Sequence, residues 1–209
     1  MPLLPNLLID ASAWTNNTYT IWGYLRPKSN ASSTVVRIAQ LDPAQYASQG
    51  EFNTWAYSAC SAAAMTEVLN AYGGQYRIRD VLSVESSLTI PGSSPPESAI
   101  TPQLGLTAEV GIAQTIQHFN FTTTWGDHWT LNQVLSAANS GAPVIVSWPP
   151  DRYAGGHIVV VIGSDSGSVI IADSSSWNRH VLPIAQFLQW WGGFAAVSTP
   201  FGASTPTSS

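Results

Sequence analysis

The stretch WAYSACSAAAMTEVLNAYGG, residues 55–74, holds the only cysteine of the 209-residue chain. It reads as a buried helix that starts at Cys60. Ala62, Ala63, Ala64, Met65, Glu67, Leu69 and Ala71 are mostly good helix formers, and Gly73–Gly74 supplies a left-handed stop. Cys60, Ala64, Val68 and Ala71 recur at helical spacing, so they share a face that the small alanines let approach another backbone. Cys60 then lies in the first turn, where free N–H groups and the helix dipole favour an anion. A lone cysteine has two uses here. It is a small buried hydrophobe, the commoner role, or a nucleophile, which requires a special microenvironment such as a neighbouring histidine.

A suitable histidine stands in YAGGHIVVVIGSDSGSVIIADSSSW, residues 153–177. His157 opens one apolar strand and Asp173 ends the next, with the polar connection SDSGS between them. If the two strands form a hairpin turning near Ser166–Gly167, their outer ends meet. Adjacent strands lie about 4.8 Å apart, so the imidazole and the carboxylate come within hydrogen-bonding reach. A base with an orienting acid is what a nucleophilic thiol needs. Gly155 and Gly156 leave room for a substrate backbone beside His157. Trp55, Trp148 and Trp177 lie close in sequence to Cys60, the His157 loop and Asp173, and are candidates to wall a peptide cleft or shield the pair. A plain core role is the commoner one for an aromatic.

The stretches QYASQGEFNTWAYSACSAAAMTEVLNAYG (45–73), GGHIVVVIGSDSGSVIIADSS (155–175) and, less specifically, WWGGFAAV (190–197) resemble the papain-fold cysteine peptidases of the bacteriocin leader-processing type and their stand-alone relatives. The resemblance is specific over about residues 41–74 and 142–175. It implies a nucleophile at the start of a long central helix, a base that begins a sheet strand and an Asp on the next strand. Cys60, His157 and Asp173 match those positions. It also implies a Gln before the nucleophile that helps form the oxyanion hole, and Gln49 fits that place better than Gln45. The family usually has Gly directly after the Cys, where this chain has the small Ser61 beside the substrate.

Elsewhere, TVVRIAQL (34–41) is β-branched and predicts a strand, followed by the turn DPAQ. YRIRDVLSVESSL has the period of a second helix with Ile78, Leu82 and Leu88 inward. Residues 91–105 predict a Pro- and Ser-rich loop. AEVGIAQTIQHF predicts a short helix and NFTTTW a strand. In TLNQVLSAANSG, Thr130 is an N-cap and Gly141 a stop. APVIVSWP and FAAVSTP predict strands, and PIAQFLQWWGG a helix with Pro183 near its start. Helices followed by antiparallel strands predict an α+β papain-like domain over 34–200, with an irregular arm over 1–33 and a flexible tail over 201–209.

Composition sets the remaining bounds. Only 9% of residues are charged, yet 44% are hydrophobic and nine are Trp, so the chain folds. Net charge is −5 with scattered cations and no basic stripe, which argues against nucleic acid. No apolar run is long enough to span a bilayer. His118 reads as structural, His128 adjoins Asp127 without further ligands at metal spacing, and His180 follows a turn. No metal and no cofactor are expected. The Ser/Thr-rich surface favours a secreted or cell-surface protein whose targeting segment is absent from this chain. The expected protein is a monomeric thiol hydrolase acting on peptide or protein substrates. An amidase or acyltransferase on the same triad, for example on cell-wall peptides, and a catalytically silent binding domain are the alternatives.

Overall fold

The computed structural model describes residues 30–201. The arm expected over 1–33 and the tail over 201–209 lie outside these residues, apart from their inner edges. A six-stranded antiparallel sheet forms the centre: β3 (Phe121–Gly126), β4 (Val144–Trp148), β5 (His157–Asp165), β6 (Ser168–Ala172), β7 (Val181–Pro183) and β8 (Ala195–Pro200), in the order β3-β8-β4-β5-β6-β7. Helices cover both faces, which is why β4 is buried at every position and reads as a continuous apolar run. On one face Ile145, Ile158, Val160, Ala172 and Ala196 pack with α2 (Cys60–Ala71), α3 (Ile78–Glu85) and α4 (Val110–Gln117). On the other, Val146, Trp148, Val159, Val161 and Ile171 pack with α5 (Leu131–Asn139) and α6 (Ile184–Trp190). A short helix α1 (Gln49–Trp55) precedes α2. No helix among the described residues is long and apolar enough to cross a membrane.

The central helix α2 lies against β5 and α3. Every residue from Ser61 to Leu69 is buried, so the single small-residue face expected from the sequence is too narrow a description. A helix enclosed on all sides needs no apolar stripe. Enclosure carries Glu67 inside, and Glu85 of α3 with it; both are fully buried. Glu67 Oε1 accepts from the Ile38 N–H at 2.8 Å, and Glu85 Oε1 accepts from the Ser61 hydroxyl at 2.6 Å. The second oxygen of each has no hydrogen-bond partner among the described residues. Burial pushes both carboxyls from 4.5 up to about 8, against the lowering effect of those hydrogen bonds. The core therefore holds two neutral acids at neutral pH.

Three local expectations are corrected. Residues 34–41 form no strand: Ser32–Thr34 is a 3-10 turn and the extended residues after it pair with no neighbour in the sheet. Their N–H groups bond elsewhere, Ile38 to Glu67 and Gln40 to the Ser174 carbonyl at 3.0 Å. The loop over 91–105 contains β1 (Ile100–Thr101), which pairs with β2 (Gly105–Leu106). Gly105 is needed there, because its φ is +72° and a Cβ would meet the Ser58 carbonyl oxygen at 3.1 Å. Leu88 falls beyond the end of α3 and is half-buried, with Val81 joining Ile78 and Leu82 in the core. Thr130 does cap α5, in a capping box with Gln133.

The buried acids give the fold a pH signature. Their folded-state values lie above the unfolded value of 4.5, so the folded chain binds more protons than the unfolded one between 4.5 and about 8. Their contribution to stability is fully present below that window and is lost as pH rises through it. Denaturant titrations across pH 5–8 should show falling stability in the wild type and a flatter profile in the Glu67→Gln, Glu85→Gln double variant.

Candidate active site

Cys60 is the first residue of α2 and half-exposed. No side chain caps the helix at Ala59, so the free N–H groups of the first turn have no side-chain acceptor there. His157 is the first residue of β5, opposite Trp148 at the end of β4. The β5–β6 hairpin pairs Val160 with Ala172 and slips by one residue at a bulge between Val161 and Gly163. Continuing that register past Ala172 sets Asp173 diagonal to His157. The expected contact forms: His157 Nε2 and Asp173 Oδ1 are 2.8 Å apart.

Asp173 is fully buried yet well provided with donors. Ser175 N–H donates to Oδ1 at 2.9 Å, and Oδ2 accepts from Arg179 Nη1 at 3.0 Å and the Arg179 N–H at 3.3 Å. Burial alone would raise its pKa. The His157 hydrogen bond and charge, with the Ser175 bonds, hold it well below the usual carboxylate range. His157 shows the reciprocal effect. Burial pushes it down, but its hydrogen bonds to Asp173 and Cys60, with their charges, lift it from 6.5 to about 9. Because Nε2 is engaged by Asp173, the nitrogen left for the Cys60 sulfur is Nδ1. The imidazole thus sits between thiol and carboxylate, able to carry a proton across the neutral range.

Cys60 and His157 open into one cavity of about 460 Å³. Trp148, Gly155 and Gly156 line it as expected, with Trp148 fully buried and its ring 5.8 Å from that of His157. Four other expected residues lie elsewhere. Gln49 starts α1, is exposed, and gives its side-chain amide to Asn53 Oδ1 at 2.8 Å. Ser61 is buried beneath Cys60 with its hydroxyl on Glu85, so it faces away from any substrate. Trp55 is half-buried against the core. Trp177 is 72% exposed and stacks on Arg179, which places it over the partner of Asp173 instead of in the cavity.

The sequence reading missed several contributors. Gln40 and Gln103 both line the cavity; Gln40 Nε2 donates to the Ala56 carbonyl at 2.9 Å and its Oε1 accepts from Ser174 Oγ at 2.9 Å. Gln40 was hidden in a segment whose β-branched residues predicted a strand. Arg37 donates to the carbonyls of Asp173 and Ser175, both at 2.6 Å, and so clamps the turn that carries the carboxylate. The wall opposite His157 comes from the β1–β2 turn and the residues after it, 102–109. Arg179 was legible only as a cation six residues past Asp173.

Comparisons with known proteins give a family and a fold. A family model described as Peptidase_C39 like family matches residues 32–199. Among solved structures, the peptidase domain of Streptococcus ComA, a bi-functional ABC transporter, superposes with a TM-score of 0.58 at 20% identity, over 79% of this chain and 98% of that one. A C39-like peptidase from Bacillus anthracis, described there as putative, gives 0.58 at 15% identity, over 80% and 95%. At these identities the structures show a shared fold, the α+β papain-like one expected. No curated protein matches the chain.

The His157–Asp173 contact makes a prediction of its own. The folded value of His157 lies above 6.5, so its contribution to stability is complete below 6.5 and is lost as pH rises through about 9. In Asp173→Asn, the His157 ring should titrate closer to 6.5 by NMR, and the alkaline loss of stability should begin earlier. A midpoint unchanged by the substitution would remove Asp173 as the orienting acid.

Proposed function

The chain belongs to the Peptidase_C39 like family, and from that premise we propose that it is a cysteine peptidase that cleaves peptide bonds through an acyl-enzyme on Cys60. One observation carries the reading. His157, fixed through Nε2 by Asp173 at 2.8 Å, turns its other nitrogen to the sole cysteine at an uncapped helix start. His157 already holds the proton drawn from the Cys60 thiol when the Cys60 sulfur attacks the substrate carbonyl, whose π electrons move onto oxygen. As the tetrahedral adduct collapses, the C–N bond breaks and His157 gives its proton to the leaving amine. Water then attacks the thioester with His157 as base, returning the thiol and releasing a carboxylic acid.

The oxyanion is assigned to the Cys60 backbone N–H and to a side-chain amide. We place that amide at Gln40 in preference to Gln49. Gln40 shares the cavity with Cys60, and its Nε2 keeps a second hydrogen beyond the one given to Ala56. Such donors act where charge develops, so they lower the barrier more than they strengthen binding. Gly156 helps the substrate approach: its φ is +67° and a Cβ there would crowd Pro150 Cγ at 3.2 Å.

Incubation with a mixture of unstructured peptides, read by mass spectrometry for new termini, tests the reading. The wild type should generate them and Cys60→Ala should not. Gln40→Ala should lower kcat by about 10²–10³-fold with little change in KM, while Gln49→Ala should stay within about twofold of wild type. Retained peptide binding without cleavage by the wild type would favour a silent binding domain. Release of ammonia or acyl exchange without new peptide termini would favour an amidase or transferase.

A further inference from the structure

The Asp173 carboxylate faces two cations of different character. Its Oδ1 holds His157, which gains and loses a proton; its Oδ2 holds Arg179 at 3.0 Å, which is charged at every accessible pH. Arg179 is itself firmly held. Its Nη2 donates to the Tyr153 hydroxyl at 3.1 Å, and its guanidinium carbon lies 5.6, 5.2 and 5.2 Å from the ring centroids of Tyr153, Trp177 and Trp190. Arg179 therefore fastens the loop that carries Asp173 to the 149–156 loop that leads into His157. The Tyr153 ring lies 6.2 Å from the imidazole.

We propose that Arg179 is a positioning residue for the His157–Asp173 pair, a permanent counterion that keeps the buried carboxylate charged and in place while His157 is neutral. The proposal rests on the acyl-transfer reading, in which His157 must give up a proton in every turnover. At that moment Asp173, fully buried, would be left a lone anion, which burial strongly disfavours. Arg179 removes that penalty and so lets the imidazole release its proton. The other charged or titratable groups around the pair do not take this place. Arg37 gives Nε and Nη2 to the carbonyls of residues 173–175, Glu67 bonds the Ile38 N–H, Tyr153 is engaged by Arg179 itself, and Cys60 is a second hydrogen-bond partner of His157. Among the described residues, Arg179 and His157 are the side chains able to bring a positive charge that donate directly to this carboxylate, beside the neutral Ser175.

NMR titration of the His157 ring, assigned with His157→Gln, separates this role from plain scaffolding. Without Arg179 the imidazole should hold its proton more tightly, so in Arg179→Gln its midpoint should rise by about half a unit or more. The alkaline limb of kcat should move up with it, and kcat should fall about tenfold with KM nearly unchanged. Arg179→Lys keeps the charge but loses the fork and should fall between wild type and Arg179→Gln. A midpoint that is unchanged or lowered in a cooperatively folded Arg179→Gln overturns the proposal. If that variant does not fold, Arg179→Lys carries the test, and a midpoint at or below the wild-type value overturns it. The titration needs no turnover. A wild type without peptidase activity would sink the acyl-transfer reading alone, and the ring titration would still judge the coupling.

Discussion

A carboxylate with no exposure to water sets the terms for half of this molecule. Asp173 is buried and ionised, a combination that stands only when donors surround the anion. Meeting that demand shapes three segments, two of them consecutive in the chain and the third far away in sequence. The β5–β6 hairpin slips at a bulge to bring His157 alongside. The 173–180 turn folds back so that Ser175 and Arg179 donate to the two oxygens. The extended stretch before α1 leaves the sheet to lie against this turn, through Arg37 and through Gln40 on Ser174. The site is thus a solution to a desolvation problem, and its chemistry follows from which donor can let go of its proton.

The opposite treatment is given to Glu67 and Glu85. Among the described residues these carboxyls make no ion pair and have one unpartnered oxygen each, and burial carries them as acids up to about pH 8. Glu85 holds Ser61 directly beneath Cys60, so an uncharged hydrogen bond supports the helix start while a charged one supports His157. The difference lies in what a protonated carboxyl can do. It fits a closed core, but it would leave His157 without the anion that lifts it to about 9. The cavity between the two regions presents a helix N-terminus, an imidazole and a glutamine amide to one volume, the arrangement that acyl transfer calls for.

What was legible in the sequence was what depends on local pattern. The start of α2 at Cys60, the β5–β6 hairpin and its meeting of His157 with Asp173, and the Thr130 cap follow from spacing and turn residues, and all are present. The misplaced residues share another trait: their assignment needed the direction of a side chain. Gln49 and Trp177 are near the site in sequence, yet a helix start aims one at Asn53 and a turn aims the other at Arg179. Ser61 follows Cys60 and still points into the core, because successive helical residues are about 100° apart around the axis. Gln40 and Arg37 were hidden because their partners are distant loop carbonyls. A β-branched run predicts a ladder only when strand partners are free, and here the neighbours were a buried carboxyl and a loop.

The central claim is that His157 activates Cys60 in the resting protein. It is tested most directly by the rate at which iodoacetamide alkylates Cys60, the chain's only thiol, at pH 6. The account predicts labelling about tenfold or more faster in the folded protein than in the unfolded chain, and loss of that advantage in His157→Ala. A folded protein that reacts no faster than the unfolded chain would make Cys60 an ordinary core residue and contradict the account.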